Sequence, residues 1–227
     1  MDMEKYTCLL QGEYKEKFDA YRALLLEYNE RYNLTTILEE KDMFYKHFLD
    51  SVVGEKFFKN GAKVIEIGSG AGFPSIPLKL IRDDLSFTLV ESVGKKCEFL
   101  HAVVDKLGLS GVNIYSKRAE DLARENIHRE KYDAATARAV ARMNTLSEYC
   151  LPFVKVGGVF VAYKSGDTSE IDEAQSAYKT LGGKLKSVEK YELPEGYGER
   201  ALAVVEKVKP TANKYPRGQG KERKSPL

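Results

Sequence analysis

Glu66, Gly68, Gly70, Gly72 and Phe73 stand in the run E-I-G-S-G-A-G-F, an acid followed by three alternate glycines. Glycine lets a backbone turn through positive φ and approach a ligand closely. Two phosphate-binding readings fail on residue identity. A dinucleotide fingerprint counted from Gly68 needs glycine at position 73, where Phe73 stands, and a phosphate loop needs a Gly-Lys pair, but no lysine occurs between Lys63 and Lys79. An acid beside a bare turn suits an ammonium or sulfonium better than a pyrophosphate. Glu91 follows Gly70 by 91 − 70 = 21 residues, the spacing at which an acid reaches both ribose hydroxyls. The polar turn R-A-E-D (118–121), with Ala119 and Glu120, is able to flank an adenine, and T-A-R-A-V (136–140) brings Arg138 to the same edge. Ordered together, these residues predict a positively charged adenosine cofactor, S-adenosylmethionine, leaving S-adenosylhomocysteine as product.

Methyl transfer from a sulfonium is an in-line displacement, so the protein mainly has to align the acceptor and exclude water. Exocyclic amines of nucleobases are usually met by an Asn- or Asp-Pro-Pro-aromatic turn after the fourth strand; T-A-R-A-V-A-R stands there instead. Carbon-5 of a pyrimidine needs a thiolate, and Cys150, in E-Y-C-L-P-F, reads as a core thiol. Guanine N7 already offers an in-plane lone pair and needs no base. Arg138, at a strand end, reads as functional rather than as an ion-pair partner of Glu66 or Glu120. His47 and Asp50, three apart on a predicted helix, share a face; that pairing serves either a substrate or a helix-surface hydrogen bond. Lys164, closing the fifth strand, is equally open.

The elements that must carry these residues follow from periodicity. Residues 2–58 read as helical, with Leu24, Leu25, Tyr28 and Tyr32 at helical spacing and Met43, Phe44, His47, Phe48 and Ser51 in a second stripe. From Ala62 short β-rich runs alternate with amphipathic stretches: 63–67, 86–91, 112–116, 132–137 and 158–164. That rhythm predicts an α/β fold with parallel strands and right-handed crossovers. Two final strand-like runs, 184–193 and 200–208, predict an antiparallel hairpin closing the sheet. Three units are expected: an N-terminal helical extension (1–60), a catalytic domain (61–208) and a basic tail (209–227).

Charge and composition exclude several classes. No stretch approaches the ~20 apolar residues that cross a bilayer, and the N-terminus lacks a basic-then-apolar leader, so a cytoplasmic protein is expected. Cys8, Cys97 and Cys150 are scattered and give neither a disulfide framework nor a metal-ligand spacing. The net charge of +2 conceals an asymmetry: the last 21 residues hold seven Lys or Arg against one Glu, a local +6, leaving 2 − 6 = −4 on the rest. Such an end is either a phosphate-contacting element or a solvated tail. With residues 214–227 as a separable tail, their removal is expected to weaken RNA binding and to spare the cofactor.

Seven segments in order, Y-N-L-T-T-I (32–37), K-H-F-L-D-S (46–51), G-S-G-A-G-F-P-S-I-P-L (68–78), R-A-E-D (118–121), T-A-R-A-V-A (136–141), G-G-V-F-V-A-Y-K (157–164) and K-Y-P-R-G-Q-G-K-E-R-K-S-P-L (214–227), closely resemble the bacterial 16S ribosomal RNA guanine-N7 methyltransferase G family, also called glucose-inhibited division protein B. The resemblance spans essentially the whole chain. It implies a class I methyltransferase fold, Rossmann-like, with a mostly parallel seven-stranded sheet. It also implies methylation of a guanine in the decoding-region stem-loop of 16S rRNA. By that resemblance Gly68 and Phe73 line the methionine and ribose side of the cofactor, Glu91 holds the ribose, Ala119 and Glu120 lie near the adenine, and Arg138 stands at the reaction face. His47, Asp50 and Ser51 supply a polar helix face, and Lys214, Arg217, Lys221 and Lys224 a basic RNA-contacting segment. The implied partner is 16S rRNA or a small-subunit particle, with no membrane and no obligate protein partner. Glu66 stands where the family more often has Asp, and Ser75 where it has Gly. A same-fold methyltransferase of small molecules or proteins, and an inactive RNA-binding module, are the alternatives.

Overall fold

The computed structural model describes residues 2–227. Asp2 caps the first helix, α1 (Met3–Gln11), by accepting the Lys5 N–H at 2.9 Å. In α2 (Lys15–Tyr32) Phe18, Tyr21 and Leu25 recur at helical spacing and are buried, and Asn33 ends the helix in the left-handed conformation. Next come α3 (Glu40–Met43), a π-helical turn (Phe44–Leu49), α4 (Asp50–Val52) and a 3-10 turn (Glu55–Phe57). The apolar spacing predicts regular helix across this stretch; the wider π turn leaves no mark on that spacing.

The sheet is built from β1 (Lys63–Ile67), β2 (Ser86–Glu91), β3 (Val112–Ser116), β4 (Tyr132–Arg138), β5 (Val154–Ser165), β6 (Gly183–Leu193) and β7 (Gly198–Lys207), in the order β3-β2-β1-β4-β5-β7-β6. The first five strands are mutually parallel, and β7 runs antiparallel to both neighbours, β5 and β6. The expected hairpin is present, with its second strand inserted beside β5. The fifth strand starts at Val154 rather than Gly158. Gly157 turns through φ +84, and the β4–β5 register shifts between Tyr132 and Ala134.

The helices α5 (Ser75–Ile81), α6 (Gly94–Lys106), α7 (Ala119–Leu122), α8 (Met143–Cys150), α9 (Ser169–Glu173) and α10 (Gln175–Leu181) complete the layers. Strand alternation divides two cores: Val64 joins the cluster holding Tyr21, Leu25 and Phe99, while Ile65 and Ile67 join the one holding Leu146, Phe153 and Tyr178. Each such side chain taken fully out of water contributes about 1.5–3 kcal/mol. The N-terminal helices therefore share a core with the sheet. Cys150 lies wholly inside the second cluster, and burial pushes its thiol well above its ordinary range, as befits a packing residue. Among the described residues no helix is long and apolar enough to cross a membrane.

The basic end of the chain is docked, contrary to the expectation of a separable tail. The Arg129 guanidinium donates to the carbonyls of Thr211, Ala212 and Tyr215, and Arg124 donates to those of Pro216 and Arg217. The wholly buried Glu148 carboxylate takes the backbone N–H of Arg217 at 2.8 Å and its guanidinium at 2.7 Å. Lys207, also enclosed, donates to Leu151 O, Val154 O and Thr211 Oγ1. The tail and the body hold partners that lie far apart in sequence, so the charge count alone could not show them meeting. The last helical turn is α11 (Lys221–Lys224).

Candidate active site

The chain reverses its lateral direction between β1 and β4, and two clefts open there beyond the carboxyl ends of the strands, where parallel sheets bind ligands. After β1 the chain turns sharply: the N–H groups of Gly68 and Ser69 both donate to Val90 O, and Gly68, Gly70 and Gly72 all have positive φ. A Cβ on Gly68 would lie 2.7 Å from Val140 Cγ2, so the turns after β1 and β4 meet only because the side chain is absent.

The smaller cleft, about 220 Å³, is lined by Gly68, Glu91, Ala119, Glu120, Tyr149 and Arg223, among others. Four of these six are sequence-predicted cofactor residues. Glu91 also braces the glycine turn, since one of its oxygens accepts the Gly70 N–H and the other the Val93 N–H, both at 2.9 Å. Each oxygen keeps a lone pair for a further donor. Tyr149 and Arg223 had no sequence signal, because Tyr149 lies well along the helix after β4 rather than at the strand end, and Arg223 arrives from the last turn of the chain.

Glu66, Gly70, Gly72 and Phe73 are not on this wall. Glu66 is fully buried behind the turn, where Oε2 accepts the Ser75 N–H at 3.3 Å and Oε1 has no partner. Burial pushes its carboxyl up to about 8, against the pull of the Ser75 donors and Arg138. Gly72 is a packing position, since a Cβ there would lie 2.5 Å from Ile76. Phe73 sits under the second cleft: the His47 ring stacks on it at 4.4 Å, and the Arg138 guanidinium lies 4.8 Å from its centroid.

The second cleft, about 620 Å³, shares Ala139 and Val140 with the first and is lined by His47, Asp50, Arg138, Arg142, Lys164 and Arg200. Arg138 organises it. Its Nη1 donates to Lys46 O at 3.0 Å and Asp50 Oδ2 at 3.1 Å, and Nη2 meets His47 Nδ1 at 3.1 Å. A guanidinium only donates, so His47 Nδ1 is the acceptor, and Nε2 carries the proton toward Thr35 Oγ1, 2.9 Å away. Burial and the adjacent Arg138 charge lower the His47 imidazole to about 3, so it is neutral. Asp50, 4% exposed, also accepts the Tyr191 hydroxyl at 2.7 Å. The predicted His47–Asp50 face exists, with Arg138 bridging the two. Ser51 turns inward, its hydroxyl donating to His47 O and its carbonyl accepting from Tyr163. The π-helical turn presents the Lys46 carbonyl and His47, and the first residue of α4 presents Asp50, to one guanidinium; such turns recur at functional sites. Ala139, next in the chain, holds φ +57 between the two clefts, backbone strain of the kind that clusters at such sites.

The sequence model of the rRNA small subunit methyltransferase G family matches residues 14–220. The chain belongs to this family. Proteins named Ribosomal RNA small subunit methyltransferase G are 46% identical in Lactobacillus acidophilus, over all of this chain and 97% of that protein, and 48% identical in Brevibacillus brevis, over 96% and 93%. Similar solved structures include M. jannaschii TYW2 in complex with AdoMet, with a TM-score of 0.57, 16% identity and coverage of 71% of this chain and 76% of that one. The [4+2]-cyclase SpnF superposes as well, with a TM-score of 0.56, 12% identity and coverage of 72% and 82%. A cyclase among the neighbours shows that this likeness carries fold alone. Family membership makes the chain a methyltransferase and S-adenosylmethionine its cofactor.

The small cleft of this methyltransferase fits that cofactor. The Gly68 backbone permits close approach, Glu91, braced by the Gly70 N–H, retains lone pairs for hydroxyl donors, and the cleft leads past Ala139 and Val140 into the larger one. The basic residues divide in two. Lys164 is only 8% exposed in its side chain and is spent on Glu170 at 3.0 Å and Ala141 O at 2.9 Å, holding the loop after β4. Arg217 is likewise spent on Glu148. Lys214, Lys221 and Lys224 are exposed.

Proposed function

We propose that this methyltransferase transfers the methyl group to N7 of a guanine in the decoding-region stem-loop of 16S rRNA, the 530 loop. The observation that carries the reading is the absence of a usable base among the described residues lining the acceptor cleft. His47 is neutral and committed at both nitrogens, Asp50 is locked to Arg138 and Tyr191, and Glu170 is paired with Lys164. N7 needs none: its own lone pair attacks, and the product carries the positive charge the sulfonium gives up.

S-adenosylmethionine supplies the electrophilic methyl on its sulfonium. The chain positions. Gly68, Glu91, Ala119 and Glu120 hold the cofactor, Gly70 braces Glu91 through its N–H, Phe73 supports His47 and Arg138 from below, and Glu66 and Gly72 act behind the turn. Arg138 uses three of its five N–H groups on Lys46, Asp50 and His47. The remaining two are free to meet guanine O6, leaving N7 open to the methyl. Arg142, Lys214, Lys221 and Lys224 are exposed cations for the phosphate backbone. A ribosomal RNA or assembling small subunit as partner places the reaction in the cytoplasm.

The test is incubation of the protein with methyl-labelled cofactor and either protein-free 16S rRNA or small subunits, followed by digestion to nucleosides. Label is expected in 7-methylguanosine from one loop. Label in another base, or only in small molecules or protein, overturns the reading.

A further inference from the structure

Arg223 lies on the wall of the cofactor cleft, four residues before the C-terminal Leu227. Its position is built by two anchors on α8. Upstream, Arg217 is clamped to the buried Glu148. Immediately before Arg223, the Glu222 carboxylate is wholly enclosed and accepts the Gly218 N–H, while the Glu222 carbonyl accepts the Thr145 hydroxyl at 2.8 Å. Tyr149, next to Glu148 on the same helix, is itself a wall of the cleft, and Arg223 stands close enough to its phenol to oppose the upward push of burial on it. Glu222 turns in and Arg223 turns to the cleft. Arg217 is neutralised by Glu148, whereas Arg223 forms no ion pair among the described residues.

We propose that the docked C-terminal segment is a wall of the cofactor pocket and that Arg223 is its adenine-binding residue. The inference rests on the small cleft being the S-adenosylmethionine seat. Adenine offers ring nitrogens that accept and an exocyclic amine that donates. Glu120, on the same wall, accepts from the amine; the planar Arg223 guanidinium donates edge-on, in the purine plane, to a ring nitrogen. The Arg223 side chain is exposed, so its replacement leaves the anchors intact.

Calorimetry on the full chain, with S-adenosylhomocysteine and with adenosine as separate probes, decides the matter. Arg223→Ala is expected to weaken both by about tenfold, the loss of one charge-assisted hydrogen bond, with an unchanged melting temperature. Arg223→Lys, lacking the plane, is expected to restore little. Glu222→Ala, which releases the anchor, is expected to weaken both probes without adding to the Arg223→Ala loss in the double variant. Unchanged binding in Arg223→Ala, a loss for S-adenosylhomocysteine without one for adenosine, or a loss for RNA alone would overturn the proposal. Failure of the unaltered protein to bind S-adenosylhomocysteine would instead remove the cofactor reading of the cleft itself.

Discussion

Glu66 and Glu91 are two acids one strand apart with opposite fates. Glu91 ends β2 with its oxygens on backbone donors and beside the cleft; Glu66, on β1, is shut behind the turn with one oxygen unpartnered. The burial of Glu66 has a measurable sign. Its folded value, about 8, lies above the ordinary 4.5, so between those pH values the folded state keeps a proton that the unfolded chain has released. Stability from this group is therefore full below about 4.5 and lost as pH rises through 8. Glu66→Gln, nearly isosteric and without a titration, is expected to gain stability relative to the parent from pH 5 to pH 8.5. Denaturant midpoints across that range test it, and parallel curves would mean that Glu66 is ionised in the fold. The site was legible to the extent that it is local: Gly68, Glu91, Ala119 and Glu120 each sit where a strand gives way to its helix, so spacing alone located them. Thr35 and Tyr191 were missed because their contacts to His47 and Asp50 depend on the π turn and, for Tyr191, on a partner 141 positions away.

At the scale of elements, the cofactor turn and the loop after β4 constrain each other through the space above Gly68. Strand runs were readable because β1 and β2 are buried, β3 is an edge strand rich in β-forming residues, and all three are bounded by turn residues; the observed bounds match the predicted ones at all three. The beginning of β5 was not, because a left-handed Gly157 interrupts the alternation without ending the strand. The same logic separates the turn glycines. Gly68 and Gly70 have nearly the same φ, +68 and +56, yet a Cβ at Gly68 collides with Val140, while at Gly70 the nearest atom, Gly68 O, is 3.8 Å away. Gly70→Ala is expected to cost only the left-handed backbone term, about 1–2 kcal/mol. Gly68→Ala adds displacement of Val140, which borders both clefts. A larger loss of stability, about 2–4 kcal/mol, is expected together with weaker S-adenosylhomocysteine binding and slower methyl transfer. Equal effects of the two variants in unfolding and calorimetry would show that the turns do not bear on each other.

Across the whole molecule, the strongest cationic bias in the sequence is folded into the body. Seven Lys or Arg in the last 21 residues read as one patch, but Lys207 and Arg217 are internal counter-charges, and Arg223 faces the cofactor cleft. Lys214, Lys221 and Lys224 remain on the outside, carried on the same docked segment. A chain ending at Lys209 would strand Arg129, Arg124 and the buried Glu148, since an uncompensated buried charge costs about 3–5 kcal/mol. Such a truncation is therefore expected to lower the melting temperature, weaken S-adenosylhomocysteine and weaken RNA together. Lys214→Gln, Lys221→Gln and Lys224→Gln in one full-length chain are expected to separate these effects. Removing three exposed cations leaves the anchors in place, so melting and cofactor affinity should hold while RNA affinity drops. The slope of log affinity against log salt should become shallower by up to about three charges' worth of released counterions. RNA titrations at several salt concentrations measure that slope, and an unchanged slope would place the RNA contacts on Arg142 and the mouth of the acceptor cleft instead.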